Sequence, residues 1–167
     1  MMDVGTGVVL GYLIREFRER DLSKVIEINL KCLPEHYPSF FYLDLYRRYP
    51  KSFLVAVDER GEVVGYVMCR VEGNILKSLF GREERRGHII SIAVLPEHRR
   101  KGVGRSLMMR ALNALREVYG CNSCFLEVRV SNSTAINLYR ELGFKITKSI
   151  AGYYRDGESA YVMELKF

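Results

Sequence analysis

Residues 88–95 form a nearly continuous apolar run that Pro96 closes. A strand without polar alternation has no solvent face, so this run is expected to be covered on both sides, as in a sheet flanked by helices. From Val103 onward, Leu107, Ala111, Ala114, Leu115 and Val118 recur at helical spacing, and residues 124–130 return to a β-type pattern. Short joints between strand, helix and strand predict a parallel pair linked by a right-handed crossover. The fold class is therefore α/β.

The rest of the chain supplies elements around that unit. Residues 12–17 alternate like a short strand, and Asp21 can cap a helix whose Leu22, Val25, Ile26 and Leu30 share one face, ending near Pro34. The aromatic stretch 38–49 fits a second helix bounded by Pro50. Residues 53–57 and 63–71 read as antiparallel strands joined by a hairpin at Asp58-Glu59-Arg60-Gly61. Gly73, Gly81 and the charged cluster 82–86 mark residues 72–87 as a solvated loop. A short helix over 134–142 is closed by Gly143, and residues 144–150 and 161–167 make a final hairpin around Arg155-Asp156-Gly157-Glu158. Residues 1–11 are expected to be a poorly ordered extension and residues 12–167 a single domain, in keeping with the 167-residue length.

Composition removes several classes of function. The longest apolar run, residues 8–14, stops at Arg15, whereas a membrane span needs about 20 apolar residues. Residues 1–10 lack the basic start of a signal peptide, so no membrane and a cytoplasmic location are expected. Four cysteines do not make a disulfide framework at this length. Cys121 and Cys124 are a close pair, but zinc would want two more ligands, and Cys32, Cys69, His36 and His98 are scattered singly. No metal is expected. The net charge of +6 suits a nucleic acid or any ligand carrying several phosphates.

The turn Arg99-Arg100-Lys101-Gly102-Val103-Gly104, between buried strand and amphipathic helix, favours the phosphate. Glycines admit a ligand close to the backbone, and the first helix amides are unpaired at the positive end of the dipole. Arg105 adds further charge. A nucleotide-hydrolysing loop would need Gly at 99 and Lys at 105, where Arg99 and Arg105 stand. A dinucleotide fingerprint would need Gly at 107, which is Leu107. On these residues alone a basic turn without a ligand stays open.

Arg99, Gly102 and Gly104 also resemble the acetyl-CoA motif of the GNAT superfamily of N-acetyltransferases. Asn132-x-x-Ala135-x-x-x-Tyr139 followed by Leu142-Gly143-Phe144 is similar to the family's second cofactor motif. More narrowly, Cys32-Leu33-Pro34-Glu35, the stretch 87–94, and Tyr153-Tyr154 with Asp156-Gly157-Glu158 resemble the catalytic subunits of NatA-type protein N-terminal acetyltransferases. The resemblance covers about residues 12–167 and implies a GNAT fold: a mixed central sheet with splayed parallel strands and helices on both faces. It implies direct transfer of acetyl from acetyl-CoA, as co-substrate, to a free α-amine.

The site residues follow from the same resemblance. His88 and Glu127 match the positions of a catalytic base, and both are unusual in apolar strands, where a buried carboxylate needs pairing or solvation. Their bland alternatives are a strand-end histidine facing solvent and a surface glutamate paired with Arg129 or a lysine. Tyr139 matches a proton donor to the departing sulfur, or else packs in the core. Ile92, Ala93 and Val94 would bind the cofactor and receive the oxyanion, with Arg99, Arg100, Lys101, Gly102, Val103, Gly104 and Arg105 on its phosphates. Asn132 would bind cofactor or cap a helix. Leu33, Pro34, Glu35 and Tyr37 would line one side of the amine's approach, and Tyr153 and Tyr154 the other.

The sequence leaves two rivals. One is an acetyltransferase for lysine side chains or small amines; a lysine, with a reference pKa of about 10.4, demands a stronger base than an α-amine. The other is a basic module that has kept a CoA site and contacts RNA or the ribosome, motivated by the cluster 82–86. The leading reading takes protein N-termini as substrate and no nucleic acid, with an auxiliary subunit or the ribosome as possible partners.

Overall fold

The computed structural model describes residues 8–73, 76, 79–81 and 84–167. Residues 1–7 of the expected extension lie outside the described residues, as do positions 74, 75, 77, 78, 82 and 83 of the expected loop. The chain condenses into two compact units, Met1–Arg70 with Ile90–Ala114 and Val71–Ile89 with Leu115–Phe167.

The first unit contains β1 (Val8–Val9), β2 (Tyr12–Glu16), α1 (Leu22–Cys32), α2 (Ser39–Arg48), β3 (Leu54–Val57), most of β4 (Val63–Gly73), the second half of β5 (Arg85–Val94) and most of α3 (Val103–Glu117). Strands β1 to β4 pair antiparallel in sequence order, and β5 lies beside β4. Burial without alternation along β3 and the first part of β4 shows that both sheet faces are covered. Val25 and Ile28 of α1, Tyr42 and Leu45 of α2, and Leu107, Met108 and Ala111 of α3 are all buried. Phe17 stacks on Phe53 with ring centroids 4.1 Å apart.

The hairpin at 58–61 forms as expected. The Asp58 carboxylate accepts from the amides of Arg60 and Glu62 at 3.0 and 2.9 Å, replacing water for two turn donors. Asp21 behaves differently from expectation. It sits at the N-cap position of α1 but makes no side-chain cap bond there. Its carboxylate takes two bonds from the Arg15 guanidinium, at 2.7 and 2.9 Å, and one from the Arg18 amide at 2.8 Å. A bidentate charged donor outcompetes a neutral helix amide. Burial opposes ionisation of Asp21, yet the bonds from Arg15 and the Arg18 amide leave its carboxyl below the usual range.

The second unit contains residues 71–73 of β4, residues 85–89 of β5, β6 (Ser123–Arg129), α4 (Ser133–Glu141), β7 (Lys145–Ile150) and β8 (Ala160–Lys166). Its strand order is β5-β6-β8-β7. The parallel ladder between β5 and β6 joins Arg86 to Ser123, Gly87 to Cys124 and His88 to Phe125, and ends there. Strand β6 continues its antiparallel ladder with β8 as far as Arg129 and Ala160. β7 closes the edge against β8 with an irregularity between Ile146 and Lys148. Cys121 and Cys124 are buried, and burial pushes the Cys121 thiol up from its ordinary pKa.

One boundary needs correction. The loop expected over 72–87 is shorter, because β4 runs to Gly73 and β5 begins at Arg85. Glu72, Arg85 and Arg86 are polar residues within strands, and their charge disguised the strand pattern. His88 is thus interior to β5 rather than at its start. Gly87 beside it has a packing reason: a Cβ there would lie 2.7 Å from Cδ1 of Leu115. The absent side chain lets the end of α3 rest directly on β5.

Candidate active site

Register explains the polar cluster of the second unit. His88 lies directly opposite Phe125 in the β5/β6 ladder, and Glu127 is two residues further along β6, so all three share one face. The His88 ring stacks on Phe125 with centroids 4.1 Å apart and an interplanar angle of 20°. The Arg86 guanidinium covers the same Phe125 ring at 4.2 Å. His88 Nε2 and Glu127 Oε2 are 2.7 Å apart, and His88 Nδ1 lies 3.0 Å from Glu72 Oε1 on β4. The histidine side chain is 11% exposed and Glu127 18%.

The bland alternatives for these two residues are not realised. Glu127 is paired with His88, while Arg129 Nη1 donates to Asp156 and Glu158, each at 2.8 Å. A neutral imidazole has one N–H, and a carboxylate only accepts. A neutral ring can donate at only one of these two contacts, so the other is open to an incoming proton. The arrangement can take up and hand on a proton.

Glu72 is the residue that sequence reasoning missed. Glycines and charges around it read as a loop, and no motif marks it. Its signal would have been the strand pattern continuing past Val71.

Near the end of β6, Arg129 also covers the Tyr154 ring at 4.1 Å, and Tyr153 meets Tyr154 edge-on at 4.9 Å. Glu158 accepts from the Ser131 hydroxyl and, at 3.0 Å, from the Ser131 amide. Bonds from Ser131 and Arg129 hold the Glu158 carboxyl below the usual range, and the β7–β8 turn carrying both tyrosines is tied to β6. Asn132 caps α4, its side-chain oxygen accepting from the Ala135 amide at 3.2 Å. Tyr139, on α4, is buried with its ring 6.0 Å from Phe144. Burial pushes its hydroxyl up to about 12, so it stays protonated through the neutral range.

The first unit places the other expected residues. Ile92, Ala93 and Val94 form the end of β5, and the Val94 carbonyl accepts from Arg99 Nε at 2.8 Å. The following turn runs through Arg100 at φ 61° and Gly102 at φ 78°. A left-handed non-glycine costs roughly 1–2 kcal/mol, so the pair shapes a tight entry into α3. The Ser106 amide bonds back to the Gly102 carbonyl at 3.0 Å. Earlier amides at a helix start lack intrahelical acceptors and favour an anion. Arg99, Arg100, Lys101, Gly102 and Arg105 are exposed here, whereas Val103 is buried and Gly104 half-buried.

Leu33, Pro34, Glu35 and Tyr37 lie between α1 and α2, on a segment held by its backbone. Buried Asn29 donates to the Glu35 carbonyl at 3.1 Å and to Tyr66 Oη at 3.0 Å, and Tyr66 Oη lies 2.7 Å from Ser91 Oγ. His36 Nε2 lies 2.8 Å from the Leu33 carbonyl, and Tyr37 donates to the Ile90 carbonyl at 3.4 Å while stacking on Phe41.

The first unit thus carries a basic glycine turn opening a helix after a buried strand, and the second a histidine–carboxylate pair. Residues 22–144 match the acetyltransferase (GNAT) family. The N-alpha-acetyltransferase of Sulfurisphaera tokodaii is 47% identical over 154 residues, 91% of each chain. The N-terminal acetyltransferase A complex catalytic subunit NAA10 of Arabidopsis thaliana is 42% identical over 90% of this chain and 75% of its own. Among solved structures, Chaetomium thermophilum Naa20 in complex with a bisubstrate analogue aligns with a TM-score of 0.80 at 32% identity, covering 92% of this chain and 86% of that one. The chain belongs to the GNAT acetyltransferase family.

Proposed function

We infer that this enzyme transfers acetyl from acetyl-CoA to the free α-amine of protein N-termini, by direct attack in a ternary complex. The observation that carries the reading is the 2.7 Å pairing of His88 with Glu127 on one sheet face. An α-ammonium has a pKa of about 7.7–8.0, so a moderate base frees its lone pair and no covalent nucleophile is needed. The names of the relatives support the substrate class.

In this reading the ammonium loses one proton to the His88–Glu127 pair, directly or through water. The neutral nitrogen attacks the thioester carbon, and charge gathering on oxygen is met by a backbone amide near Ile92, Ala93 or Val94. The carbon–sulfur bond breaks, the Tyr139 hydroxyl gives its proton to the leaving sulfur, and the second proton that the nitrogen sheds as the amide forms returns through water to the tyrosine. Arg99, Arg100, Lys101, Gly102, Val103, Gly104 and Arg105 hold the phosphates of CoA, with Asn132 contributing through the start of α4. Leu33, Pro34, Glu35, Tyr37, Tyr153 and Tyr154 receive the first residues of the peptide. Residues 12–167 act as one acetyltransferase domain.

Among the described residues no helix is long and apolar enough to cross a membrane. We place the reaction in the cytoplasm, with the ribosome or an auxiliary subunit as the partner that brings nascent chains. The test is a His88→Ala, Glu127→Ala double variant of native-like circular dichroism, assayed on peptides with free N-termini. Turnover should fall by about 10²–10⁴. Undiminished turnover refutes the reading, and CoA binding by the wild type without transfer to any peptide favours a binding module.

A further inference from the structure

The His88–Glu127 pair has a third member with no part in the acetyl transfer itself. Glu72 and Glu127 grip opposite nitrogens of one ring, at 3.0 and 2.7 Å. Glu72 is the most exposed of the three: its side chain is 38% exposed, against 18% for Glu127 and 11% for His88. Phe125, stacked beneath the imidazole, keeps the ring in the plane that serves both carboxylates. A proton that has reached the ring therefore meets, at the far nitrogen, the carboxylate most open to solvent.

We propose that Glu72 is a positioning residue that sets His88 through Nδ1 and carries the amine's proton from the ring to solvent. This rests on the acetyl-transfer reading above. The ammonium gives one proton to Glu127 and thence to His88 Nε2, the proton on Nδ1 passes to the Glu72 carboxylate, and Glu72 releases it to water. One proton leaves the amine, one reaches solvent, and the ring tautomer resets by exchange with water between turnovers. Glu72 never touches the substrate. Its effect on the rate passes through His88.

Two substitutions separate proton relay from simple support. Glu72→Gln keeps an oxygen that accepts from Nδ1 but cannot take the proton. Glu72→Ala removes both and leaves room for a small carboxylate. With full-length enzyme, acetyl-CoA and a free-N-terminus peptide, both variants should lose about tenfold or more in kcat with both KM values unchanged. Added formate should restore kcat of Glu72→Ala and leave Glu72→Gln slow. Full-speed Glu72→Gln overturns the proposal, as does a loss confined to KM or a Glu72→Ala enzyme that formate does not restore. If Glu72→Ala fails to fold, the near-isosteric Glu72→Gln decides alone. The double variant at 88 and 127 separates the two levels: its activity surviving fells the acetyl-transfer reading, whereas its loss alongside full-speed Glu72→Gln fells only the role of Glu72.

Discussion

Replacing Tyr66 by Phe tests how the α1–α2 segment is held. The Tyr66 hydroxyl accepts from Asn29 at 3.0 Å and lies 2.7 Å from Ser91 Oγ, and Asn29, Tyr66 and Ser91 are all buried. Burial pushes the Tyr66 hydroxyl up to about 12, so it serves as a neutral partner at any working pH. Each lost hydrogen bond is worth about 1 kcal/mol net, and a buried hydroxyl left unpaired costs about 1–3 kcal/mol. Asn29 keeps its bond to the Glu35 carbonyl, so the main loss falls on Ser91. The sum is about 2–4 kcal/mol, which for a chain of this size lowers Tm by about 4–16 °C. Urea unfolding of both proteins gives the difference directly, and peptide KM should rise while acetyl-CoA KM stays level. A Tyr66→Phe enzyme with unchanged unfolding midpoint and unchanged peptide KM would refute the claim that this network holds the segment.

Three further outcomes are expected. Tyr139→Phe keeps the packing against Phe144 and loses the hydroxyl, so kcat should fall by about 10–100-fold with KM values level; steady-state kinetics decide. Gly102→Ala forces a side chain to φ 78°, costing roughly 1–2 kcal/mol, and calorimetry should show weaker acetyl-CoA binding with the peptide's KM unaffected. Because the Asp21 carboxyl is held below its unfolded value, its stabilisation is present above about pH 4 and fades as acid protonates it. Asp21→Asn should therefore cost about 1.5–3 kcal/mol near neutrality and little at pH 2, read from unfolding midpoints across that range; an equal cost at both ends would contradict the ion pair.

The strand–helix–strand unit was legible because burial on both faces writes a continuous apolar run, and a helix writes its own period, so β5, α3 and β6 emerge from residues 88–130. His88 and Glu127 were legible as polar letters inside that pattern. Their pairing was not, since it depends on the parallel register that sets His88 opposite Phe125. Glu72 was hidden because the end of β4 and the start of β5 carry charge on a sheet face that is not wholly apolar. Asp21 misled for a related reason: an aspartate before a helix suits an amide cap and a guanidinium equally well, and only the fold brings Arg15 within 2.7 Å.

The stretch from Leu33 to Tyr37 is fastened at peptide oxygens, those of Leu33, Glu35 and, from the facing strand, Ile90. Every amino acid carries such an oxygen. The hold that Asn29 takes on the Glu35 carbonyl is therefore open to any amino acid at position 35.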